Sequence, residues 1–251
     1  MSVAYLGPPG TFAETAAGLV ANDEEIRAFP DVPDVLRAVE VGDADRGVVP
    51  IENTLEGPVS VTLDALAFDV DLLIEGELEI PIQLVFAARS GVAIGDVELV
   101  RSHHVALGAC RRWLARNLPD AERQQSSSTA RAAELVAASD RPEGAILNPL
   151  AAERYELDVL ARDIADRDGN VTRFVVVSDR VPQPTGWDKT SLVVFIEENR
   201  PGALLQLLEI FAERDLNLTK IESRPTKEEL GEYCFFVDVE GHVADERVGD
   251  A

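Results

Sequence analysis

Lysine is scarce in this chain. Lys189, Lys220 and Lys227 stand beside 20 arginines, and these 23 basic residues face 46 acidic ones, a formal net charge of −23 over 251 residues. A phosphate backbone is repelled by such a field, which excludes nucleic acid as a partner class. Cysteine is as sparse: Cys110 and Cys234 lie far apart with no CxxC pair, so neither a zinc site nor a dithiol centre is indicated. His103, His104 and His242 show no HExxH spacing. No metal and no cofactor is expected. Long apolar runs are missing too. The longest stretch without a charged residue, Met1–Ala13, contains Gly7, Pro8, Pro9 and Gly10, far short of the ~20 apolar residues of a membrane helix. No basic residue precedes an apolar stretch at the N-terminus, so no secretory signal is read. The expectation is a cytoplasmic protein without a membrane partner.

Hydrophobic residues make up 46% of the chain, enough to exclude intrinsic disorder and to fill one or two domains at roughly 150 residues each. From Ser2 to Val177 short apolar runs alternate with amphipathic ones. Strands are expected at Val3–Leu6, Gly47–Ile51, Ile80–Ala88, Val97–Arg101, Ala145–Leu147 and Thr172–Val177. Helices are expected at 12–20, 35–41, 62–68, 105–117, 130–138 and 149–155. Repeated strand–helix units imply an α/β fold with a largely parallel sheet, and Ile80–Ala88 reads as one long strand buried on both faces. The segment 180–188 (RVPQPTGWD) carries two prolines and a glycine and reads as a linker. After it the pattern resets to strand Ser191–Ile196, helix 202–214, strand Leu218–Ser223 and strand Tyr233–Val239, the β-α-β-β opening of a ferredoxin-like unit.

Several junctions carry candidate chemistry. Gly7–Thr11 (GPPGT) follows a strand and opens a helix, but Phe12 and Ala13 stand where a phosphate-binding loop has Lys and Ser/Thr, so a nucleotide site is not supported. Thr11 still sits at a helix N-terminus with free backbone N–H groups. Ser102 occupies the same kind of junction, as do Ser128 and Thr129. Each alone is an ordinary N-cap. Three together, at the carboxyl ends of strands in an α/β region, suit a small carboxylic acid ligand. Glu52, Asn53 and Thr54 leave a strand as carboxylate, carboxamide and hydroxyl in succession. Thr172, Arg173 and Phe174 enter the last strand with a hydroxyl beside a guanidinium, a group suited to a carboxylate or to an internal ion pair.

These motifs carry a family resemblance. GPPGTF (7–12), GVVPIENTLEG (47–57), SHHVALGACRRWL (102–114), SSTARAAELVA (127–137) and NVTRF (170–174), in that order, resemble prephenate dehydratase. NRPGALL (199–205) and IESRP (221–225) resemble the regulatory ACT domain of that enzyme. The resemblance implies an α/β, two-lobed catalytic region like periplasmic binding proteins over 1–179, with lobe one about 1–76 plus 164–179 and lobe two about 77–163. A linker at 180–188 and a ferredoxin-like ACT domain at 189–251 follow. It implies decarboxylating dehydration of prephenate to phenylpyruvate, with L-phenylalanine as allosteric effector of a homodimer or homotetramer. Thr172 is then the residue that assists hydroxide departure, and Glu52 a second acid. Thr11, Asn53, Ser102, Ser128, Thr129 and Phe174 position the substrate, and Arg173 holds a carboxylate. Asn199, Pro201, Gly202, Ala203, Leu204 and Leu205, with Glu222, Ser223, Arg224 and Pro225, contact phenylalanine. After Ser102-His103 the family usually continues Pro-Gln, with a second Gln one turn on; here those positions are His104, Val105 and Ala109, and His104 stands in for the missing contacts. Arogenate dehydratase and a non-catalytic amino-acid sensor are the competing readings. No helical segment precedes Val3, so a fused chorismate mutase is not expected. The 12 residues Glu240–Ala251 are too few for the second helix and fourth strand of a ferredoxin-like unit, so the ACT domain reads as incomplete.

An acid-rich, lysine-poor surface suits concentrated salt, where the Debye length falls to about 3 Å at 1 M and self-repulsion is suppressed. The melting temperature is therefore expected to rise as KCl goes from millimolar to molar in a thermal scan. A flat or falling curve rules out a halophilic character.

Overall fold

The computed structural model describes residues 1–196, 200–227 and 229–251. They fall into two units, Met1–Val181 and Pro182–Ala251. The first unit runs β1 (Ser2–Leu6), α1 (Phe12–Ala21), β2 (Glu25–Phe29), α2 (Val32–Glu40), β3 (Arg46–Asn53), β4 (Gly57–Pro58), α3 (Ser60–Phe68) and β5 (Leu73–Pro81). It continues with β6 (Val85–Ala88), β7 (Leu99–Ser102), α4 (His104–Ala109), α5 (Arg111–Asn117), β8 (Glu122–Gln125), α6 (Thr129–Ala137), β9 (Glu143–Leu147), α7 (Pro149–Arg154), β10 (Asp158–Ala161) and β11 (Val171–Ser178).

Two sheets result, one per lobe. The first has the order β2-β1-β3-β11-β5 with β4 beside β3, and the second the order β10-β6-β9-β7-β8. Both are mixed rather than largely parallel. β1 pairs in parallel with β2 and β3, while β11 is antiparallel to both β3 and β5. The reason lies in the path of the chain. β3 and β5 run toward the second lobe, and β11 comes back from it, so β11 enters the first sheet from the opposite end. In the second sheet β6 likewise runs against β9, whereas β7 parallels β8 and β9.

The run Ile80–Ala88 is split between lobes. β5 ends at Pro81, paired with Val171, and β6 begins at Val85 in the other sheet. Pro81 has no N–H with which to continue a ladder, and Ile82 N donates instead to Asn170 O at 2.8 Å, lacing the outgoing crossing to the returning one. Glu77–Pro81 thus belong to the first sheet, not to lobe two. The expected helix over 105–117 is also two. It breaks at Cys110 because Asp166 accepts the N–H of Arg112 (2.8 Å) and Trp113 (3.1 Å), capping a fresh start. β2, β8 and β10 are not anticipated: ERQQ of β8 is polar and exposed, and EIRAF and DVLA are edge strands of four or five residues.

The second unit contains β12 (Lys189–Phe195), α8 (Ala203–Glu213), β13 (Leu218–Pro225), β14 (Tyr233–Glu240) and a four-residue α9 (Glu246–Gly249). Its antiparallel sheet has the order β12-β14-β13, with Phe211 of α8 packed on Val237 and Val239. The end of the expected linker is folded into this unit. Asp188 takes the Thr185 hydroxyl (2.7 Å) and the N–H of Thr185 and Gly186, bonds that hold its carboxyl below the usual range. Among the described residues no helix is long and apolar enough to cross a membrane.

The second sheet packs Phe86, Val100 and Ile146, all fully buried, against Leu114 and Cys110. Burial pushes the Cys110 thiol up to about 12. The Phe86 ring lies over Gly144, where an added Cβ would meet Phe86 Cζ at 2.2 Å. Gly144→Ala is therefore an overpacking substitution, expected to lower stability to urea by about 1–3 kcal/mol. An unchanged denaturation midpoint would show that the ring swings aside freely.

Candidate active site

Strand ends from both sheets meet at a cavity of about 430 Å³ in the first unit, within the range of small-molecule sites. Leu6, Gly7, Pro8 and Thr11 line it from the β1–α1 junction, Pro50 and Asn53 from β3, and Thr172 and Phe174 from β11. His103, Val105, Ser127, Ser128 and Thr129 approach from the second lobe. Thr11 and Ser128 cap α1 and α6, accepting the N–H of Glu14 (3.4 Å) and Arg131 (3.0 Å). Two helix N-termini therefore border the cavity, each a favourable position for negative charge.

Asn53 organises one wall. Its Oδ1 accepts from the N–H of Leu55 (2.9 Å) and Glu56 (3.1 Å), which fixes Nδ2 as the donor end. Nδ2 then donates to Asn170 Oδ1 (2.8 Å), Val171 O (3.2 Å) and Thr172 Oγ1 (2.9 Å). Because Thr172 Oγ1 is already an acceptor, its own hydrogen is left for a molecule in the cavity. A β-bulge makes the wall possible. β11 pairs Arg173 with Glu52 but Phe174 with Pro50, so Ile51 is an extra residue. On a regular strand Pro50 and Asn53, three apart, face opposite ways; the bulge turns both to the cavity.

Thr11, Asn53, Ser128, Thr129, Thr172 and Phe174 are thus brought together as candidate ligand contacts. Three others are not. Ser102 is fully buried and its hydroxyl donates to Ile146 O at 2.6 Å, joining β7 to β9 away from the cavity. Arg173 alternates to the far face of β11, where its Nε meets Glu77 at 2.5 Å and its Nη1 lies 3.9 Å from Glu52. Glu52 shares that face, because neighbours on a strand point opposite ways. The pair that reads in sequence as acid and carboxylate holder is a cross-strand ion pair. His104 lines an adjoining cavity, and His103 takes the place at the cleft. Burial first, then the neighbouring His104 charge, lowers the His103 pKa, so His103 is neutral at pH 7. Val105 and Ala109 give an apolar wall where glutamines were expected.

Asn170 was legible within NVTRF but carries no acid–base signal of its own; it is buried and borders both cavities. Glu14 escaped notice because one acid among 46 does not stand out. It is buried, accepts from Gly10 N and pairs with Arg154 of α7.

The second unit has its own cavity, about 640 Å³, lined by Gly202, Ala203, Leu204 and Leu205 at the start of α8, with Arg200, Thr226, Glu232 and Tyr233. Gly202 adopts φ +91°, a conformation natural to glycine, and no side chain blocks the approach to the helix. Thr226 Oγ1 is buried without a hydrogen-bond partner. Pro201 and the β13 residues Glu222, Ser223, Arg224 and Pro225 do not line this cavity, and Asn199 lies outside the described residues.

Comparison with known proteins agrees with this geometry. Residues 3–182 match the prephenate dehydratase family model and residues 190–251 the ACT domain model. Prephenate dehydratase of Mycolicibacterium gilvum is 44% identical over 263 residues, covering 99% of this chain and 84% of that protein. The bifunctional chorismate mutase/prephenate dehydratase of Aquifex aeolicus is 45% identical, covering 100% of this chain and 68% of that one. The crystal structure of prephenate dehydratase from Arthrobacter aurescens in complex with L-Phe superposes with a TM-score of 0.93 at 43% identity, covering 100% of this chain and 84% of that one. With its first unit matching the dehydratase model and its second the ACT model, the chain belongs to the prephenate dehydratase family.

Proposed function

We propose that this protein converts prephenate to phenylpyruvate and is regulated by L-phenylalanine through its ACT domain. The carrying observation is the Thr172 hydroxyl, fixed as acceptor by Asn53 and free to donate into a cavity without charged side chains. Prephenate bears a ring hydroxyl, a ring carboxylate and a pyruvyl carboxylate. The reaction breaks the bonds from the ring to the hydroxyl and to the ring carboxylate. Carbon dioxide leaves, the hydroxide becomes water with one proton taken up, and the ring becomes aromatic. Aromatisation supplies the driving force, so the site chiefly orients the substrate and assists the departing oxygen.

In this reading Thr172 donates its hydrogen bond to the leaving hydroxyl while Asn53 holds the threonine in place. The ring lies against Phe174 and the apolar wall at Val105 and Ala109. Free N–H groups of α1 and α6 offer uncharged donors to the substrate's oxygens. The ring carboxylate turns into neutral carbon dioxide, a change favoured where no cation stabilises the starting anion.

Purified protein incubated with prephenate should release phenylpyruvate, and the kcat/KM values for prephenate and arogenate decide between the two substrates. Absence of product with either leaves only an amino-acid sensor. Thr172→Val is nearly isosteric and should lose on the order of 10²-fold in kcat with its melting temperature kept. Unchanged kcat would move the role away from this hydroxyl.

For the effector, the cavity at the start of α8 offers an apolar side, the backbone at Gly202 and the unpaired Thr226 hydroxyl to a small amino acid. Phe195, Leu205, Ile221 and Tyr233 are each about half exposed, apolar surface that suits a second copy of this chain. We place phenylalanine at an interface of two ACT domains, with Glu222–Pro225 contributed from the β13 edge. Light scattering should give at least a dimer in the presence of phenylalanine; a monomer would refute this arrangement.

A further inference from the structure

The cavity beside Thr172 supplies neutral donors only. Among the described residues none that line it carries a full charge at pH 7, yet the substrate proposed above carries two carboxylates, and the arginine expected to meet one, Arg173, is engaged with Glu77 and Glu52. Next to this cavity lies another of about 370 Å³, which shares Val105, Ala109 and Asn170 with it. Arg111, Arg112 and Arg167 all line that second space.

Their convergence is built into the fold. Asp166 N donates to Ala109 O at 2.7 Å, and the Asp166 carboxylate takes the N–H of Arg112 and Trp113. This clasp fastens the return crossing to the break between α4 and α5, and so sets Arg167 beside Arg111 and Arg112. The Asp166 carboxylate is spent on backbone groups. Among the described residues no ion pair or side-chain hydrogen bond engages these three guanidinium groups, although elsewhere Arg46, Arg101 and Arg154 are matched to acids. Glu56 also lines this cavity, and the three arginines are exposed at its rim. With Asp166 held by backbone groups, three cations stand against one remaining carboxylate, a basic spot in a chain of charge −23.

We infer that this arginine cluster is the anchoring subsite for the pyruvyl carboxylate, the one that survives the reaction. The inference rests on the dehydratase reading of the adjacent cavity. The chemistry favours this division. A cation against the ring carboxylate would stabilise the anion that has to leave as neutral carbon dioxide. A cation against the pyruvyl carboxylate is harmless, because that charge is the same before and after. Placing the arginines one cavity away binds the dianion and spares the departing group. A guanidinium–carboxylate contact is short and can be bidentate, so it persists at high salt, where longer-range attraction is screened.

The test replaces Arg111, Arg112 and Arg167 by Gln, singly and together. For the triple variant KM for prephenate should rise by about tenfold or more, with kcat within about threefold, the scale of losing a charge-assisted hydrogen bond. Arg123→Gln on edge strand β8, the same change of net charge as each single variant, should leave KM alone, and the triple Arg→Lys variant should recover part of the loss. Equilibrium dialysis of prephenate on the Thr172→Val background gives the comparison without turnover. Weaker binding of the triple variant there supports the subsite even if the wild type makes no phenylpyruvate, a result that would overturn only the dehydratase reading. Equal KM and equal binding in folded triple variant and parent overturn the subsite, as does a parent that binds no prephenate, or an Arg123→Gln effect as large as the triple's.

Discussion

The carboxamide of Asn53 is the point on which the site depends. It ends β3, a strand of the first sheet, and it bonds to Asn170 and Thr172, where the chain returns from the second lobe. A carboxylate of the same shape could not do this, since it has no donor for Thr172 or Asn170. A hydrophobic residue would remove the acceptor for the N–H groups of Leu55 and Glu56 and leave the buried Asn170 oxygen with only the longer bond from Thr54. The same bonds that close the fold at its crossing also decide which way the Thr172 hydrogen points. Stability and reactivity are not separable at this position.

Charge is distributed with the same economy. The surface is strongly acidic, but among the described residues no acid lines the cavity beside Thr172: Glu52 turns away with Arg173, and Glu14 is tied to Gly10 and Arg154. Strand alternation accounts for the first and helix capping geometry for the second. A dianionic substrate thus meets uncharged donors and helix N-termini inside a molecule whose overall field repels it. His103, kept neutral by its burial and its histidine neighbour, fits the same pattern.

Much of this was legible in the sequence. Most of the strand and helix order and the Gly7–Thr11 junction follow from periodicity and capping chemistry, while Asn53 and Thr172 stand out through the resemblance of their motifs to prephenate dehydratase. What was not legible has definite physical causes. Period-2 alternation shows which residues share a face but not which face meets a ligand, so Arg173 and Glu52 read as site residues when they are the structural side of the same two strands. Ser102 reads as a cap, yet the chain caps α4 one residue later with no side-chain bond, and the serine spans two strands instead. The sheet switch inside Ile80–Ala88 has no hydropathy signal, because both halves are buried in different cores. The edge strand β8 is polar and exposed and gains its structure by pairing, whereas β2 (EIRAF) is short and packs only Ile26 on the core.

The remaining question is what holds the two lobes at a spacing that fits one small molecule. The loop before α1 belongs to the first lobe but rests on the second: a Cβ at Gly10 would lie 3.4 Å from Ala130 of α6 and 3.5 Å from Ala151 of α7. Those are ordinary van der Waals distances; what calls for glycine at position 10 is its φ of +90°. Behind this contact Glu14 of α1 reaches Arg154 of α7 across the lobes, its other oxygen taking Gly10 N. The carboxylate is buried, and it raises the phenol of buried Tyr5, already pushed up by its own burial, to about 12. Pulling the lobes apart would strip a buried charge of its partner, which costs far more than breaking an exposed pair. The lobes are therefore clamped on the α1–α7 side. Asp166, which fastens the return crossing to α4 and α5, and Ile82, which bonds to Asn170, set the path of the chain between them. The cleft takes its width from these three ties; Glu14, Arg154 and Asp166 lie outside the cavity beside Thr172, whereas Ile82 and Asn170 also form part of its wall.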